Sequence, residues 1–194
     1  MSLEPLTDYS KFKVECEKVL FKYKSENFET IIIRPATVCG YSKRQRLDVI
    51  VNILTNLAYH NRKITVFGGE QLRPNIHIKD MLRSYLCLLE ADSKKVNGEI
   101  FNAGWQNMSV NNIAETVKNN IGEDVKIIRS ISNDNRSYHI SSDKIKKVLD
   151  FETKFTINDA VKDLVQAFDK KLLTDTLSDD IYFNIKRMNK INLK

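Results

Sequence analysis

The sequence predicts an α/β protein, and three observations lead to this prediction. Short apolar segments of strand length alternate with longer segments whose apolar residues recur every three or four positions. The β-branched run Ile31 to Ile33 predicts a short buried strand. Arg34 and Pro35 follow this run, and a polar loop begins at Gly40. With 194 residues, 42% of them hydrophobic, the chain can enclose a core. We expect a functional site at the carboxyl end of the first strand, where α/β enzymes gather ligand-binding groups.

The composition bears on several classes of protein. No apolar run is long enough to cross a bilayer, and the N-terminus is too charged for a signal peptide, so we expect a cytoplasmic protein with no membrane partner. Cys16, Cys39 and Cys87 lie among apolar neighbours, which predicts free, buried thiols. The net charge of +6 is compatible with a nucleic-acid partner, with small anionic ligands, or with a contribution to solubility alone. The lysine clusters lack interleaved aromatic residues, so a nucleic-acid partner is not expected.

The first sixty residues predict a helix, a strand and a second helix. Asp8 can cap a helix over residues 9–24, whose apolar residues have helical spacing: Phe12, Cys16, Val19, Leu20 and Tyr23. A turn at residues 25–27 leads into a strand over residues 30–33. A polar loop over residues 40–45 and a helix over residues 47–59 follow.

The remaining residues continue the alternation. We expect strands over residues 63–67, 75–78, 100–102 and 125–128. The expected helices cover residues 80–89, 109–120, 143–149 and 157–173. From Asp180 the chain is rich in lysine and asparagine, and this composition fits a frayed helix, a subunit contact or a disordered tail.

Tyr9 and Lys13 form a candidate acid–base pair. Residues four apart lie on one face of a helix, so the Lys13 ammonium can approach the Tyr9 phenol. A nearby positive charge favours the phenolate, which a tyrosine needs to act as a general acid or base near neutral pH. Two other pairs have the same spacing: Tyr59 with Lys63, and Tyr182 with Lys186. Spacing alone therefore does not choose among the three pairs.

Five segments in sequence order form a wider pattern. They are Tyr9-x-x-x-Lys13 with Glu17; Arg34-Pro35-Ala36-Thr37-Val38-Cys39-Gly40; Thr65 to Met81, with Gly68-Gly69, Arg73 and Asp80; Gly98-Glu99-Ile100-Phe101-Asn102-Ala103-Gly104; and Asn135-Arg136-Ser137-Tyr138 before Asp143. Together they resemble the second half of an extended short-chain dehydrogenase/reductase that acts on nucleotide sugars. The resemblance covers roughly residues 9 to 165.

The resemblance implies an NAD- or NADP-dependent nucleotide-sugar epimerase or dehydratase, or a 4-keto-sugar reductase. Tyr9 would exchange a proton with the sugar, while Lys13 would bind the nicotinamide ribose and favour the phenolate. Arg34, Pro35, Ala36 and Thr37 would run beside the nicotinamide and contact the cofactor through their backbone. Arg34 taken alone fits a strand-end salt bridge equally well.

The same resemblance assigns a nucleotide-diphosphate sugar as the partner. Arg73 and Arg136 resemble the arginines that grip the diphosphate, and a guanidinium offers a planar fork of donors suited to phosphate oxygens. Ordinary surface arginines are the alternative for both. Arg46 and Asn52 are further candidates for the substrate pocket. His77 lies in an alternating strand and is expected to be structural, and no cluster has metal-ligand spacing.

The departures from the family pattern concern the cofactor domain. The chain has six glycines, and none forms the Gly-rich turn that lays a dinucleotide pyrophosphate on a helix N-terminus. We therefore interpret the chain as a C-terminal portion that is inactive alone: part of a Rossmann-type parallel sheet plus a smaller mixed α/β substrate-binding domain. Residues 1–45 would be a remnant of the dinucleotide-binding domain, residues 46–178 mainly the substrate-binding domain, and residues 179–194 a basic tail.

Two further expectations follow from this interpretation. A truncated parallel sheet exposes an unpaired strand edge and the apolar face of the Tyr9 helix, which predicts a homo-oligomer. The alternative function is a stand-alone basic domain that binds nucleotide or nucleic acid without catalysis, whose affinity for nucleic acid would fall steeply with salt.

Overall fold

The computed structural model describes residues 7–131 and 137–192, and within them helices and strands alternate, which confirms the predicted α/β class. The helices are α1 Asp8–Lys22, α2 Ile50–Asn61, α3 Ile78–Glu90, α4 Ser93–Val96, α5 Val110–Ile121, α6 Asp143–Leu149, α7 Ile157–Asp169 and α8 Asn184–Lys190. The strands are β1 Ile31–Pro35, β2 Thr37–Cys39, β3 Lys63–Phe67, β4 Leu72–His77, β5 Glu99–Ala103, β6 Gln106–Ser109 and β7 Lys126–Ser130. A 3-10 turn covers Asp180–Tyr182.

Within the described residues the strands form three small sheets. β1 and β5 are parallel, and so are β3 and β7. β4 lies at the centre of the third sheet, parallel to β2 and antiparallel to β6. Because β1 and β2 are consecutive but belong to different sheets, the chain passes from one sheet to the next at Ala36.

Helices lie on both faces of the β1–β5 sheet. Arg34 of β1 bonds Glu17 of α1, whereas Ile31 and Ile33 pack on the other face in a cluster that includes Leu88 of α3. This arrangement, a parallel strand pair between two helices, is that of a doubly wound sheet. The main core lies elsewhere, where α2, α5 and α7 pack on β3 through residues such as Val51, Ile64, Ile113 and Val161.

The apolar face of α1 is exposed, as expected from the sequence. No residue of α1 is buried within the described chain, and Phe12, Val19 and Tyr23 expose 71%, 51% and 67% of their surface. Cys16 lies on this face and is exposed, and Cys87 is half-buried, so the prediction of buried thiols is confirmed only for Cys39. The helix pattern was right, but the pattern does not state whether a partner surface is present.

Several element boundaries differ from the predictions. Thr7 rather than Asp8 caps α1, because its side chain accepts the amide of Ser10. β2, α4 and β6 were not predicted, since segments this short carry little periodicity. Ile78 begins α3 instead of ending a strand, and His77 is the cap. α7 ends at Asp169, four residues early, and Lys171 then adopts a positive φ of 53°.

The structure describes the C-terminal residues to Asn192, and within them a 3-10 turn at Asp180–Tyr182 precedes α8. The 3-10 turn and α8 lie against the segment that follows β2. Leu47 donates its amide to the carbonyl of Tyr182, and Asn184 donates its amide to Asp48.

Candidate functional site

The predicted site residues on the first strand surround the point where the chain changes sheets. Pro35 pairs with Ala103 on β5, and two residues later Thr37 pairs with Asn75 on β4. Between them Ala36 donates its amide to the Ala103 carbonyl at 2.7 Å and is itself buried. The carboxyl end of β1 and the start of β2 therefore form a corner with both sheets, which is the place where the sequence predicted a site.

An ion pair joins helix α1 to this corner. The Arg34 guanidinium donates to both carboxylate oxygens of Glu17, at 2.8 Å from Nε and 2.5 Å from Nη2. This is the strand-end salt bridge considered for Arg34, and the hydrogen bond to Glu17 raises the pKa of Arg34 against the opposing effect of burial. Tyr9, Lys13 and Glu17 are each four residues apart and share one helix face. Lys13 and Tyr9 thus lie about one and two turns, respectively, from the Arg34 contact, on the side of the helix N-terminus.

The structure distinguishes Tyr9 and Lys13 from the other two pairs of equal spacing. Both lie within the continuous helix α1, and the Lys13 Nζ is 5.9 Å from the centroid of the Tyr9 ring. Tyr59 lies on α2, which ends before Lys63, and its hydroxyl donates to Asp169 at 2.5 Å. That hydrogen bond, with some burial, raises the pKa of Tyr59 and disfavours the phenolate.

The third pair is also separated by the secondary structure. Tyr182 ends the 3-10 turn, Lys186 lies in α8, and the Lys186 ammonium is placed over the ring of Phe183 at 4.4 Å. Among the three pairs, Tyr9 and Lys13 are therefore the one with an exposed phenol and a lysine on the same helix face.

Arg73 lies on β4, in the sheet that β2 joins. Its guanidinium is 5.8 Å from the centroid of the Tyr138 ring and donates to the Leu72 carbonyl at 3.0 Å. The Ser137 hydroxyl accepts the Leu72 amide at 3.0 Å. Arg136, the second predicted diphosphate ligand, lies outside the described residues, but the two residues that follow it contact β4 beside Arg73.

Arg46 lies in the loop that follows β2, and Asn52 lies in the first turn of α2. The exposed Arg46 donates from Nε to Asp48 at 2.9 Å. Asn52 is buried, accepts the Gly40 amide at 3.0 Å and donates to the Arg46 carbonyl at 2.8 Å. Asn52 therefore shapes the loop that carries Arg46. Gln45 also shapes this loop, because its Nε2 donates to the carbonyls of Gly40 and Arg46. It was not predicted, because a glutamine in a polar loop gives no sequence signal.

Asn75 is a second residue that the sequence analysis missed. It is 1% exposed, and its Oδ1 is a buried acceptor with no donor among residues 7–131 and 137–192. Its Nδ2 donates to the Arg73 carbonyl at 2.7 Å. A buried amide next to Thr37 and Arg73 links the corner to the predicted diphosphate site. A polar residue inside a strand pattern was the available signal.

His77 is structural, as predicted. It is buried, its Nδ1 accepts the Lys79 amide at 3.1 Å, and the ring stacks on Phe155. Nε2 lies 3.3 Å from Asp163 without the geometry of a hydrogen bond.

Across the described ranges, no three His, Cys, Asp or Glu side chains are grouped as metal ligands. In the same ranges no helix has the length and hydropathy that a bilayer span requires.

Comparison with known proteins identifies the family. The model of the NAD dependent epimerase/dehydratase family matches residues 1–104, more than half of the chain. UDP-glucose 4-epimerase from Thermotoga maritima, solved with UDP-glucose, is 25% identical with a TM-score of 0.76 over 88% of this chain and 56% of its own. The dTDP-glucose 4,6-dehydratase of Bacillus anthracis, in complex with NAD, shares the fold at 22% identity and a TM-score of 0.74, over 87% of this chain and 54% of its own.

A third solved structure gives the same result. UDP-glucuronic acid 4-epimerase from Bacillus cereus, in complex with UDP-glucuronic acid and NAD, is 23% identical with a TM-score of 0.74 over 89% of this chain and 55% of its own. The chain thus spans little more than half the length of these solved proteins. The motif-based resemblance is confirmed: the chain belongs to the NAD dependent epimerase/dehydratase family.

Proposed function

We propose that this chain carries the substrate-binding part and the catalytic Tyr/Lys pair of an NAD(P)-dependent nucleotide-sugar epimerase or dehydratase, or of a 4-keto-sugar reductase. One observation carries the proposal: Tyr9, Lys13 and Glu17 share a face of α1, and Glu17 is bonded to Arg34 at the end of β1. The proton-transfer pair is thereby held beside the sheet corner where the family pattern expects the reacting sugar.

Tyr9 acts as the general acid and base of this proposal. As the phenolate it takes a proton from a sugar hydroxyl, and as the phenol it returns one to a keto oxygen, while Lys13 stabilises the phenolate form. A bound nicotinamide would supply hydride exchange with the sugar carbon that bears this oxygen. The residues fit such a group, because Pro35 is exposed and Thr37 is half-buried at the corner. The Arg34 side chain is engaged by Glu17, which leaves its backbone for the cofactor.

The nucleotide-diphosphate sugar would be held from the adjoining sheet and loop. Arg73 and Arg136 would neutralise the diphosphate, and Arg46 would add a cation at the loop after β2. The buried Nδ2 of Asn75, which donates to the Arg73 carbonyl, would help to set the position of Arg73. Asn52 contributes through the shape of the Arg46 loop instead of by a direct contact.

Tyr9→Phe tests the catalytic assignment in the protein at its native length, supplied with NAD and UDP-glucose. Turnover should fall at least a hundredfold, since general acid–base groups contribute about 10²–10⁴-fold. Calorimetric affinity for UDP-glucose should stay within a factor of two. Tyr23→Phe is the matched control, because Tyr23 is an exposed tyrosine at the end of the same helix. Unchanged turnover in Tyr9→Phe would remove the assignment.

Further parts of the interpretation are proposals as well. Residues 1–194 alone should bind nucleotide sugar without converting it, since no Gly-rich dinucleotide turn lies within them. The domain division at residues 45 and 178, the cytoplasmic location, the homo-oligomeric state and the choice of NAD or NADP belong to the same proposal.

A further inference from the structure

The residues after α7 return across the protein to the loop that follows β2. We define residues 173–184 as the C-terminal strap and residues 41–48 as the arginine loop. Thr176 of the strap is buried, and its hydroxyl donates to Asn56 of α2 at 2.7 Å. Tyr182 packs in the same apolar cluster as Tyr41 of the arginine loop. The strap is therefore anchored along its length before it meets the loop.

Four hydrogen bonds join the end of the strap to the arginine loop. The carbonyl of Tyr182 accepts the amide of Leu47 at 2.9 Å. The amide of Asn184 donates to Asp48 Oδ2 at 2.9 Å. Arg44 donates to the Ile181 carbonyl at 3.3 Å and to the Asn184 side chain at 3.2 Å. Leu47 itself has no exposed surface, so this half of the loop is packed as well as bonded.

Asp48 connects the strap to Arg46. One carboxylate oxygen, Oδ1, accepts Arg46 Nε at 2.9 Å, and the other accepts the Asn184 amide. The other half of the loop is held differently, by Gln45 and Asn52 around Gly40. Arg46 is thus oriented by a carboxylate whose own position depends on the strap.

We propose that the C-terminal strap fixes the arginine loop and, through Asp48, orients the Arg46 guanidinium toward an anionic substrate. Asp48 and Asn184 are positioning residues in this scheme, and Arg46 is the residue that meets the ligand. The part that concerns substrate rests on the proposed function. The part that concerns the loop rests on the contacts alone.

Asn184→Pro breaks the central contact with little effect on α8. Asn184 is the first residue of α8, where proline is well tolerated because its missing amide has no partner within the helix. The preceding residue, Phe183, is extended with φ −125° and ψ 99°, as a residue before proline should be. The matched control is Asn184→Ala, which keeps the amide donor to Asp48 and loses only the side-chain contact with Arg44.

Hydrogen-exchange rates measured by NMR on the full chain compare the two variants. In Asn184→Pro, exchange of the Leu47 amide and of the Arg46 Nε–H should be on the order of tenfold faster than in Asn184→Ala, because the lost bond has a charged acceptor. Exchange in β3 and α5 should be unchanged. Equal exchange rates in the two variants at Leu47 and Arg46 would overturn the proposal.

UDP-glucose affinity measured by calorimetry tests the functional part. Asn184→Pro should bind several-fold more weakly than Asn184→Ala, and the difference should vanish when both also carry Arg46→Ala, because the strap acts through Arg46. A difference that persists without Arg46 would overturn the positioning role. If the wild-type chain binds no UDP-glucose, the proposed function fails at nucleotide-sugar binding. The exchange rates would still test whether the C-terminal strap fixes the arginine loop.

Discussion

His77 joins β4 to α3 as a neutral imidazole. Burial is the main reason that the pKa of His77 is lowered, and Lys79 adds to this, while Asp163, Asp80 and Asp159 oppose it. The folded chain therefore binds fewer protons at this site than the unfolded chain does below about pH 6.5, the ordinary pKa of histidine. The stability contributed by neutral His77 is complete above that pH and is lost as the pH falls toward the lowered pKa.

His77→Asn tests this linkage. Asparagine is a good N-cap and can still accept the Lys79 amide, but it does not titrate. Urea unfolding between pH 5 and 7.5 should show a smaller loss of stability on acidification in His77→Asn than in the wild type. His60→Asn is the comparison, since burial also lowers the pKa of His60. A pH slope that changes only in His60→Asn would contradict the assignment to His77.

The thiols should differ in reactivity according to their burial. Burial raises the pKa of Cys39 to about 12, so almost no thiolate forms at neutral pH, and its Sγ lies 3.4 Å from the Ile76 carbonyl. Cys16 is exposed on α1. Titration with a chromogenic disulfide at pH 8 should show one fast thiol, which Cys16→Ser removes, and a thiol at Cys39 that reacts only in denaturant. Fast labelling that persists in Cys16→Ser would contradict this assignment.

At the scale of elements, the docking of α1 combines half-buried apolar residues with an ion pair. None of its residues is fully buried, but Val14, Leu20 and Phe21 are half-buried, and the side chains of the Arg34–Glu17 pair are 31% and 18% exposed. Such a pair is desolvated enough to matter, whereas fully exposed ion pairs contribute little.

Glu17→Gln should release α1 from β1. Losing the charged acceptor should cost roughly 1–3 kcal/mol locally, which corresponds to amide exchange in α1 about tenfold or more faster. Glu15→Gln is the matched control, because Glu15 pairs with Lys18 on the same helix and both side chains are 62% exposed. Similar exchange in both variants would mean that α1 is held by other contacts.

Some helices and strands could be predicted from the sequence, and others could not. Helices α1, α5 and α6 were predicted closely because periodicity and caps such as Ser109 are local signals. β2 was missed because its three residues pair with β4, and pairing across a distance leaves no periodic trace. The site was predicted as motifs, but the Glu17–Arg34 bond and the strap depend on partners 17 or more residues away.

At the scale of the whole molecule, apolar surface gathers on one side of α1. A groove of about 600 Å³ is lined almost entirely by apolar atoms of Phe12, Cys16, Val19, Tyr23 and Phe28. Exposed apolar surface of this extent, beside a two-stranded parallel sheet, is a general sign of an interaction site. The predicted homo-oligomer would cover this groove.

Light scattering over a range of concentrations tests this prediction on the full chain. The wild type should show a mass above the 22.5 kDa of one chain, rising with concentration. Phe12→Glu with Val19→Lys should shift the protein toward the monomer, because charges would then lie in the groove. Leu172→Glu is the control, since Leu172 is also exposed but follows α7. A wild type that stays monomeric at high concentration would contradict the oligomer, and an equal shift in Leu172→Glu would move the contact away from α1.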